Sequence, residues 1–288
     1  MGDLPVGKAI TNPDGHGGDE LTRTRPGTPM IGPYSVNQMD DFYTAFANGE
    51  VKPSGVMNLA QRLYIAERCP PAARIVDVCC GRGLQLPTLY RYGSNLNSYV
   101  GLDLSPANLA EARSLIGRLD AAYGGRRFPL EFVECDVAEP WPATVGVGFD
   151  VAVYTSALEH LPREQAVASL RHVASALRPD GILYLSTPNT AGEAPRPLQY
   201  RVHVYEWNMP ELEPVLFDCG LVVTERVGLL APPPEQVRAA LAAQFGHGAG
   251  ALYERLRQTV PAALLNPLSA AAIAPVATEV LYVCRRQT

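Results

Sequence analysis

Beyond Pro70-Pro71 the chain alternates between short runs of β-branched and aliphatic residues and longer stretches whose apolar positions recur every three or four residues. The first run, Arg74-Ile75-Val76-Asp77-Val78-Cys79-Cys80, predicts a strand, and the segment from Leu86 to Tyr90 predicts a helix. Further strands are expected over 98–104, 130–136, 149–155 and 181–186, interleaved with helices over about 107–120, 163–177 and 209–218. Local punctuation agrees: Ser105-Pro106 offers a cap and a first-turn proline, and Arg178-Pro179-Asp180-Gly181 stops the helix before it. Strands alternating with helices predict a parallel sheet covered on both faces. After a strand at 221–227 the pattern changes to a Pro- and Ala-rich, mostly helical stretch. It leads to a last strand, Glu279-Val280-Leu281-Tyr282-Val283-Cys284-Arg285-Arg286, so these two strands read as a sheet edge carrying an inserted cap.

Ahead of the sheet the apolar spacing is helical at Met39, Phe42, Tyr43 and Phe46, and again at Met57, Leu59, Leu63 and Ile65, with Pro53-Ser54-Gly55 separating the two pieces. The expected fold is therefore α/β: a doubly wound, mostly parallel, seven-stranded Rossmann-like sheet with N-terminal helices and a helical insertion before the last strand. The expected organisation is a mobile tail over 1–30, a helical cap over 31–70, a core over 71–230, a helical insertion over 231–277 and a final strand over 278–288.

Composition narrows the partners. With 47% hydrophobic and 18% charged residues the 288-residue chain reads as globular, and its net charge of -5 supplies no diffuse basic field for a phosphate backbone, which disfavours nucleic acid. No apolar targeting run and no membrane-length apolar stretch is present, so a cytoplasmic protein without a membrane span is expected. Three of the six cysteines sit in apolar strand-like runs and read as core filling; adjacent Cys79-Cys80 lack the spacing of a structural zinc site.

The chemistry begins in Val76-Asp77-Val78-Cys79-Cys80-Gly81-Arg82-Gly83. Gly81 and Gly83 lie between strand and helix, where backbone without Cβ lets a ligand approach, and Asp103 follows at the end of the next strand, suited to accept from ribose hydroxyls. A dinucleotide dehydrogenase would show the G-x-G-x-x-G order that this turn lacks. Over residues 72–228 the chain resembles the class I S-adenosylmethionine (SAM)-dependent methyltransferases, whose first motif reads D-x-G-x-G-x-G. Cys135-Asp136-Val137, Phe149-Asp150-Val151-Ala152-Val153-Tyr154 and Leu177-Arg178-Pro179-Asp180-Gly181-Ile182-Leu183 share in that resemblance. It implies SAM as cofactor, with Asp77, Cys79, Gly81, Arg82 and Gly83 around its methionine part, Asp103 on the ribose, and Asp136 with Val137 framing the adenine. Leu104 and Tyr154 complete the expected cofactor contacts, and Arg82 either pairs with the SAM carboxylate or faces solvent. Cys79 departs from the family pattern, which has its first glycine there.

Glu159-His160 follows the fourth predicted strand, and an imidazole there is a candidate general base for a hydroxyl or ammonium nucleophile. Together with His203-Val204-Tyr205-Glu206-Trp207 it resembles the metal-dependent small-RNA 2′-O-methyltransferases, and the ubiquinone-pathway O-methyltransferases share the first of the two motifs. The resemblance implies Glu159, His160 and His203 as ligands of a divalent metal such as Mg²⁺ or Mn²⁺, with Ser156 in place of a first glutamate. The alternative is that His203, Tyr205 and Trp207 only pack a loop. His16, His172 and His247 read as solvated or structural. The function expected is methyl transfer from SAM to an oxygen or nitrogen of a small polar metabolite, in keeping with a specialised pathway. An RNA 3′ end as acceptor and a catalytically idle SAM-fold binding protein are the alternatives, the latter motivated by Cys79.

Overall fold

The computed structural model describes residues 48–93 and 95–287. Seven strands form one sheet in the order β3-β2-β1-β4-β5-β7-β6. The strands are β1 (Arg74–Val78), β2 (Ser98–Asp103), β3 (Leu130–Glu134), β4 (Phe149–Thr155), β5 (Leu177–Pro188), β6 (Leu221–Leu230) and β7 (Glu279–Arg286). Neighbours among β1 to β5 run parallel, and β7 runs antiparallel between β5 and β6. The mostly parallel seven-stranded sheet read from the sequence is thus the sheet that forms. Asp77 of β1 lies in register with Gly101 of β2 on one side and Val153 of β4 on the other. The chain winds outward from β1 to β3 and then returns to β4 on the opposite side, which opens a crevice at the carboxyl ends of β1 and β4.

Strict alternation along the strands divides the core into two faces. Val76, Val78, Leu102, Ala152, Tyr154 and Leu183 pack on one face against Leu170 and Val173 of α4 (Arg163–Ala176) and Leu212 and Leu216 of α5 (Met209–Asp218). On the other face Ile75, Tyr99, Val151, Val153 and Tyr184 meet Met57 and Ile65 of α1 (Pro53–Arg68) and Leu86 and Leu89 of α2 (Leu86–Tyr92). Burial on both faces is why these strands read as continuous apolar runs.

Between β2 and β3 runs α3 (Pro106–Tyr123), whose Ser105 cap accepts from Asn108 N–H. One sequence expectation needs correction: Pro53-Ser54-Gly55 is no break but the first turn of α1, where a proline gives up an N–H that has no helical partner anyway. The buried stripe of α1 is Met57, Gln61 and Ile65, so Leu59, counted with the apolar spacing, faces outward at 52% exposure. The predicted helix around Met39 to Phe46 lies outside the described residues.

Between β6 and β7 come α6 (Pro234–Phe245), α7 (His247–Arg257) and α8 (Ala262–Ala272), with a small core of their own built on Val237, Tyr253, Leu265 and Ile273. Helix α8 packs against β6 and α1. A side chain at Gly228 of β6 would stand 2.0 Å from the Ala270 carbonyl oxygen, so this close approach requires glycine. Among the described residues no helix is long and apolar enough to cross a membrane.

Candidate active site

The turn leaving β1 carries left-handed backbone at three alternate positions: Cys79 at φ 55°, Gly81 at 53° and Gly83 at 74°. That period explains the glycine spacing, and it makes Cys79 a strained exception, since an L side chain rarely adopts this conformation. Gly83 also allows close packing: a Cβ there would stand 2.8 Å from Leu86 Cδ1 and 3.4 Å from Ala112 Cβ. At Gly81 such a carbon would meet nothing within 4 Å, so the space above that backbone is open.

Asp103 anchors the turn. Its Oδ2 accepts from Gly81 N–H at 2.8 Å, while Oδ1 accepts from Ser105 N–H at 2.9 Å and Asn108 Nδ2 at 3.1 Å. A carboxylate offers about four acceptor positions, so these bonds fix its orientation and leave capacity for a further donor. Leu104, next in the chain, is 57% exposed at the same edge. Asp136 is exposed and its Oδ1 accepts from Ala138 N–H at 3.0 Å; Val137 is buried. The Val137 carbonyl accepts from Trp141 Nε1 at 3.2 Å and His172 Nδ1 at 3.1 Å, which gives His172 a structural task.

Three further expected residues lie deeper. Arg82 is buried and paired through Nε with Glu111 of α3 at 3.0 Å, rather than facing solvent. Tyr154 is wholly buried, its hydroxyl 3.1 Å from Ser169 Oγ. Asp77 accepts from the Tyr99 hydroxyl at 2.5 Å; burial pushes its carboxyl up to about 7, opposed by that hydrogen bond and by the Arg62 guanidinium. Burial, with the charges of Asp103 and Asp77 adding, holds the Cys79 thiol well above its ordinary range, so it stays protonated. Sequence reasoning missed Arg62 and the buried Gln85, whose Nε2 donates to the Arg62 carbonyl and to Thr88 Oγ1, each at 3.1 Å, and so ties α1 to the glycine turn. Neither residue carries a motif of its own.

A second group lies beyond β4 and β5. Ser156 leaves β4 with φ 49° and its N–H donates to the Ser186 carbonyl at 3.0 Å; a tight 3-10 turn over Leu158–His160 follows. The carbonyl of Glu159 accepts from Val204 N–H at 2.8 Å and Tyr205 N–H at 3.1 Å, fastening the 203–207 segment to that turn. The Glu159 side chain is buried and accepts from Thr187 Oγ1 of β5 at 3.0 Å. His160 Nδ1 donates to the Val202 carbonyl at 3.2 Å, and His203 Nδ1 donates to Glu206 Oε1 at 2.5 Å. A carbonyl can only accept, so the His160 bond places a proton on Nδ1. The two rings stand 5.1 Å apart, and one potential ligand atom from each of Glu159, His160 and His203 lies within 4.8 Å of the others.

Electrostatics suit a cation at this point. Burial and the neighbouring His203 ring push the His160 imidazole down to about 4, so it is neutral near pH 7, as a ligand must be. Burial raises the Glu159 carboxyl, with Glu206 adding to it, and hydrogen bonds oppose the rise. The two sequence readings of the 203–207 segment divide by residue: Trp207 is wholly buried with Tyr205 4.9 Å away, while His203 faces His160. Glu206 accepts from Gln199 N–H at 2.8 Å and from Thr190 Oγ1, and so steadies His203.

Comparisons with known proteins bear on this edge. Residues 75–181 match the family described as Methyltransferase domain. The chain is 34% identical over 146 residues to the ubiquinone biosynthesis O-methyltransferase of Xanthomonas campestris pv. campestris (strain B100), covering 50% of this chain and 55% of that one. It thus spans little more than half the length of the curated relatives it matches. Among solved structures it resembles the small RNA methyltransferase HEN1, with a TM-score of 0.56 at 18% identity over 82% of this chain and 25% of that one. It also resembles 1,6-didemethyltoxoflavin-N1-methyltransferase of Burkholderia thailandensis, with a TM-score of 0.51 at 20% identity over 91% and 93% of the two chains. At these identities the structural likeness speaks for the fold.

Proposed function

Because the chain carries a class I SAM-dependent methyltransferase domain, we propose that it moves the methyl group of SAM to a hydroxyl oxygen of a small polar molecule, with a divalent cation held by Glu159, His160 and His203. The observation that carries this reading is the convergence of a carboxylate and two imidazoles, one atom from each within 4.8 Å of the others, at the carboxyl edge of the sheet. The name of the Xanthomonas relative, an O-methyltransferase, supports oxygen as the acceptor atom.

The residues present fit both groups. Left-handed backbone at Cys79, Gly81 and Gly83, open space over Gly81, the fixed Asp103 carboxylate and exposed Leu104 suit a nucleoside carrying an amino acid. SAM, when bound, would supply a methyl carbon on a cationic sulfur, with S-adenosylhomocysteine as the leaving group and solvent as the acceptor of the hydroxyl proton. A divalent cation, when bound, lowers the pKa of a hydroxyl and orients it. The chain's own part is to hold these in place. Thr187 positions Glu159, the Val202 carbonyl positions His160, and Glu206 positions His203. In this reading His160 is a ligand rather than the general base, since an imidazole pushed down to about 4 is a poor proton acceptor. The net charge of -5 supports a small acceptor over an RNA end.

The test is formation of S-adenosylhomocysteine on a panel of small hydroxylated acceptors, with EDTA and with Mg²⁺, Mn²⁺ or Co²⁺ restored. Loss with EDTA and rescue by a metal is the expected result. Turnover indifferent to EDTA would remove the cation, and methylation of RNA ends in preference to the panel would replace the acceptor.

A further inference from the structure

The stretch between β5 and α5, residues 189–208, sorts its apolar side chains in two ways. Trp207 is wholly buried with Tyr205 against it, whereas Leu198 and Val204 are exposed and Tyr200 is 47% exposed. Large apolar side chains scattered singly over a surface need no explanation, but Leu198, Tyr200 and Val204 fall close together in the chain beside the proposed site. Their backbone is held. Glu206 accepts from Gln199 N–H at 2.8 Å and from Tyr200 N–H at 3.3 Å, and the Tyr200 carbonyl accepts from His203 N–H at 3.1 Å. Val204 N–H is fastened to the Glu159 carbonyl. The fold thus presents these side chains to solvent from a frame bonded on either side of Tyr200.

Tyr200 also stands next to the proposed cation ligands. Its ring meets His203 edge-on, with centroids 5.1 Å apart and planes at 61°, and His203 meets His160 in the same manner at 5.1 Å and 85°. The three rings form a row that starts at two ligands and ends at a half-exposed phenol ring. An accessible aromatic face binds another flat ring through apolar burial and through the complementary charge of ring edge and ring face. A polyol set on the same side chains would give up water from hydroxyls that Leu198 and Val204 cannot satisfy.

Resting on the oxygen-acceptor and cation reading above, we propose that Tyr200 is a specificity-determining residue, the platform on which the acceptor lays a flat aromatic ring while its hydroxyl meets the cation. The acceptor is then polar at its reacting end and aromatic beyond it, with the hydroxyl carried on the ring rather than on a sugar or an open-chain alcohol.

The experiment is calorimetry on the full chain loaded with Mn²⁺ and S-adenosylhomocysteine, which admits an acceptor without turnover. The probes are catechol and cis-1,2-cyclohexanediol: both carry neighbouring hydroxyls on a six-membered ring, and only catechol is flat. Wild type is expected to bind catechol more tightly. Tyr200→Ala is expected to weaken catechol at least about tenfold and to leave the affinities for the diol and for Mn²⁺ unchanged. Tyr200→Phe, which keeps the ring, is expected to stay within about twofold of wild type for catechol. The proposal is overturned by no catechol binding in wild type, by equal losses for the two probes or none for catechol, and by a Tyr200→Phe variant as weak as Tyr200→Ala. A fall in Mn²⁺ affinity in Tyr200→Ala reduces Tyr200 to a support for His203 and overturns it equally. No Mn²⁺ uptake by wild type overturns the cation reading; catechol binding without metal, compared between wild type and Tyr200→Ala, then decides the platform by itself.

Discussion

The glycine turn after β1 and the carboxylate–histidine group after β4 share one edge of the sheet and are assembled in opposite ways. The turn is local: three left-handed positions fall within five residues, and Asp103, which accepts from Gly81 N–H, is itself fixed by neighbours at Ser105 and Asn108. The second group is gathered from afar, with His160 bonded across 42 positions to Val202 and Glu159 across 28 to Thr187. Backbone conformation defines the first region and side-chain charge the second. The two should therefore fail independently.

The largest effects should come from crossing them. His203→Ala removes a donor atom and leaves Glu206 without its imidazole. Mn²⁺ uptake is expected to fall by about a hundredfold or more while SAM affinity holds. Asp103→Ala strips the acceptor from Gly81, Ser105 and Asn108 and should do the reverse, lowering SAM affinity by about ten- to a hundredfold with Mn²⁺ uptake intact. Calorimetry and Mn²⁺ titration on both variants would expose any coupling, since loss of both ligands in either variant breaks the separation.

A middle-sized effect concerns the floor of the turn. Asp77 is raised from 3.8 to about 7 in the folded chain, so between those values the folded state holds a proton that the unfolded state gives up. Its contribution is present below pH 4 and is lost as pH rises to about 7. Asp77→Asn keeps an acceptor for Tyr99 and has no charge to bury, so it should be more stable than wild type at pH 8 by a few kcal/mol and close to it at pH 4. Thermal melts of the metal-free proteins at the two pH values check this, and equal differences at both would refute it. The smallest effect sharpens the backbone side of the comparison. Cys79→Gly and Cys79→Ala lose the same sulfur, but only glycine relieves φ 55°. Glycine should therefore be more stable than alanine by about 1 kcal/mol, the reverse of their order in ordinary backbone.

Legibility in the sequence follows the same division. The sheet was readable because strands buried on both faces, such as Phe149–Thr155, appear as unbroken apolar runs, and helices such as Pro106–Tyr123 carry their own start and stop. The glycine spacing was readable because left-handed backbone excludes most side chains. Glu159, His160 and His203 were readable only through a resembled motif, and the structure brings all three together. Pro53 misled because proline marks the start of a helix as well as a break in one. Arg82 kept two readings because a charged side chain's sequence neighbours do not name its partner, here Glu111.

What the sequence determined by itself were the features with short-range causes: strand and helix periods, caps, and the turn whose alternate residues must tolerate positive φ. The tertiary structure alone decided which charges share a pocket. Glu279 looks in the sequence like the polar start of a strand. It becomes a buried carboxylate in register with Pro188 only because β7 inserts between β5 and β6 and runs antiparallel to both. A carboxylate's protonation and partners depend on burial and on charges a few ångströms away, and chain order records neither.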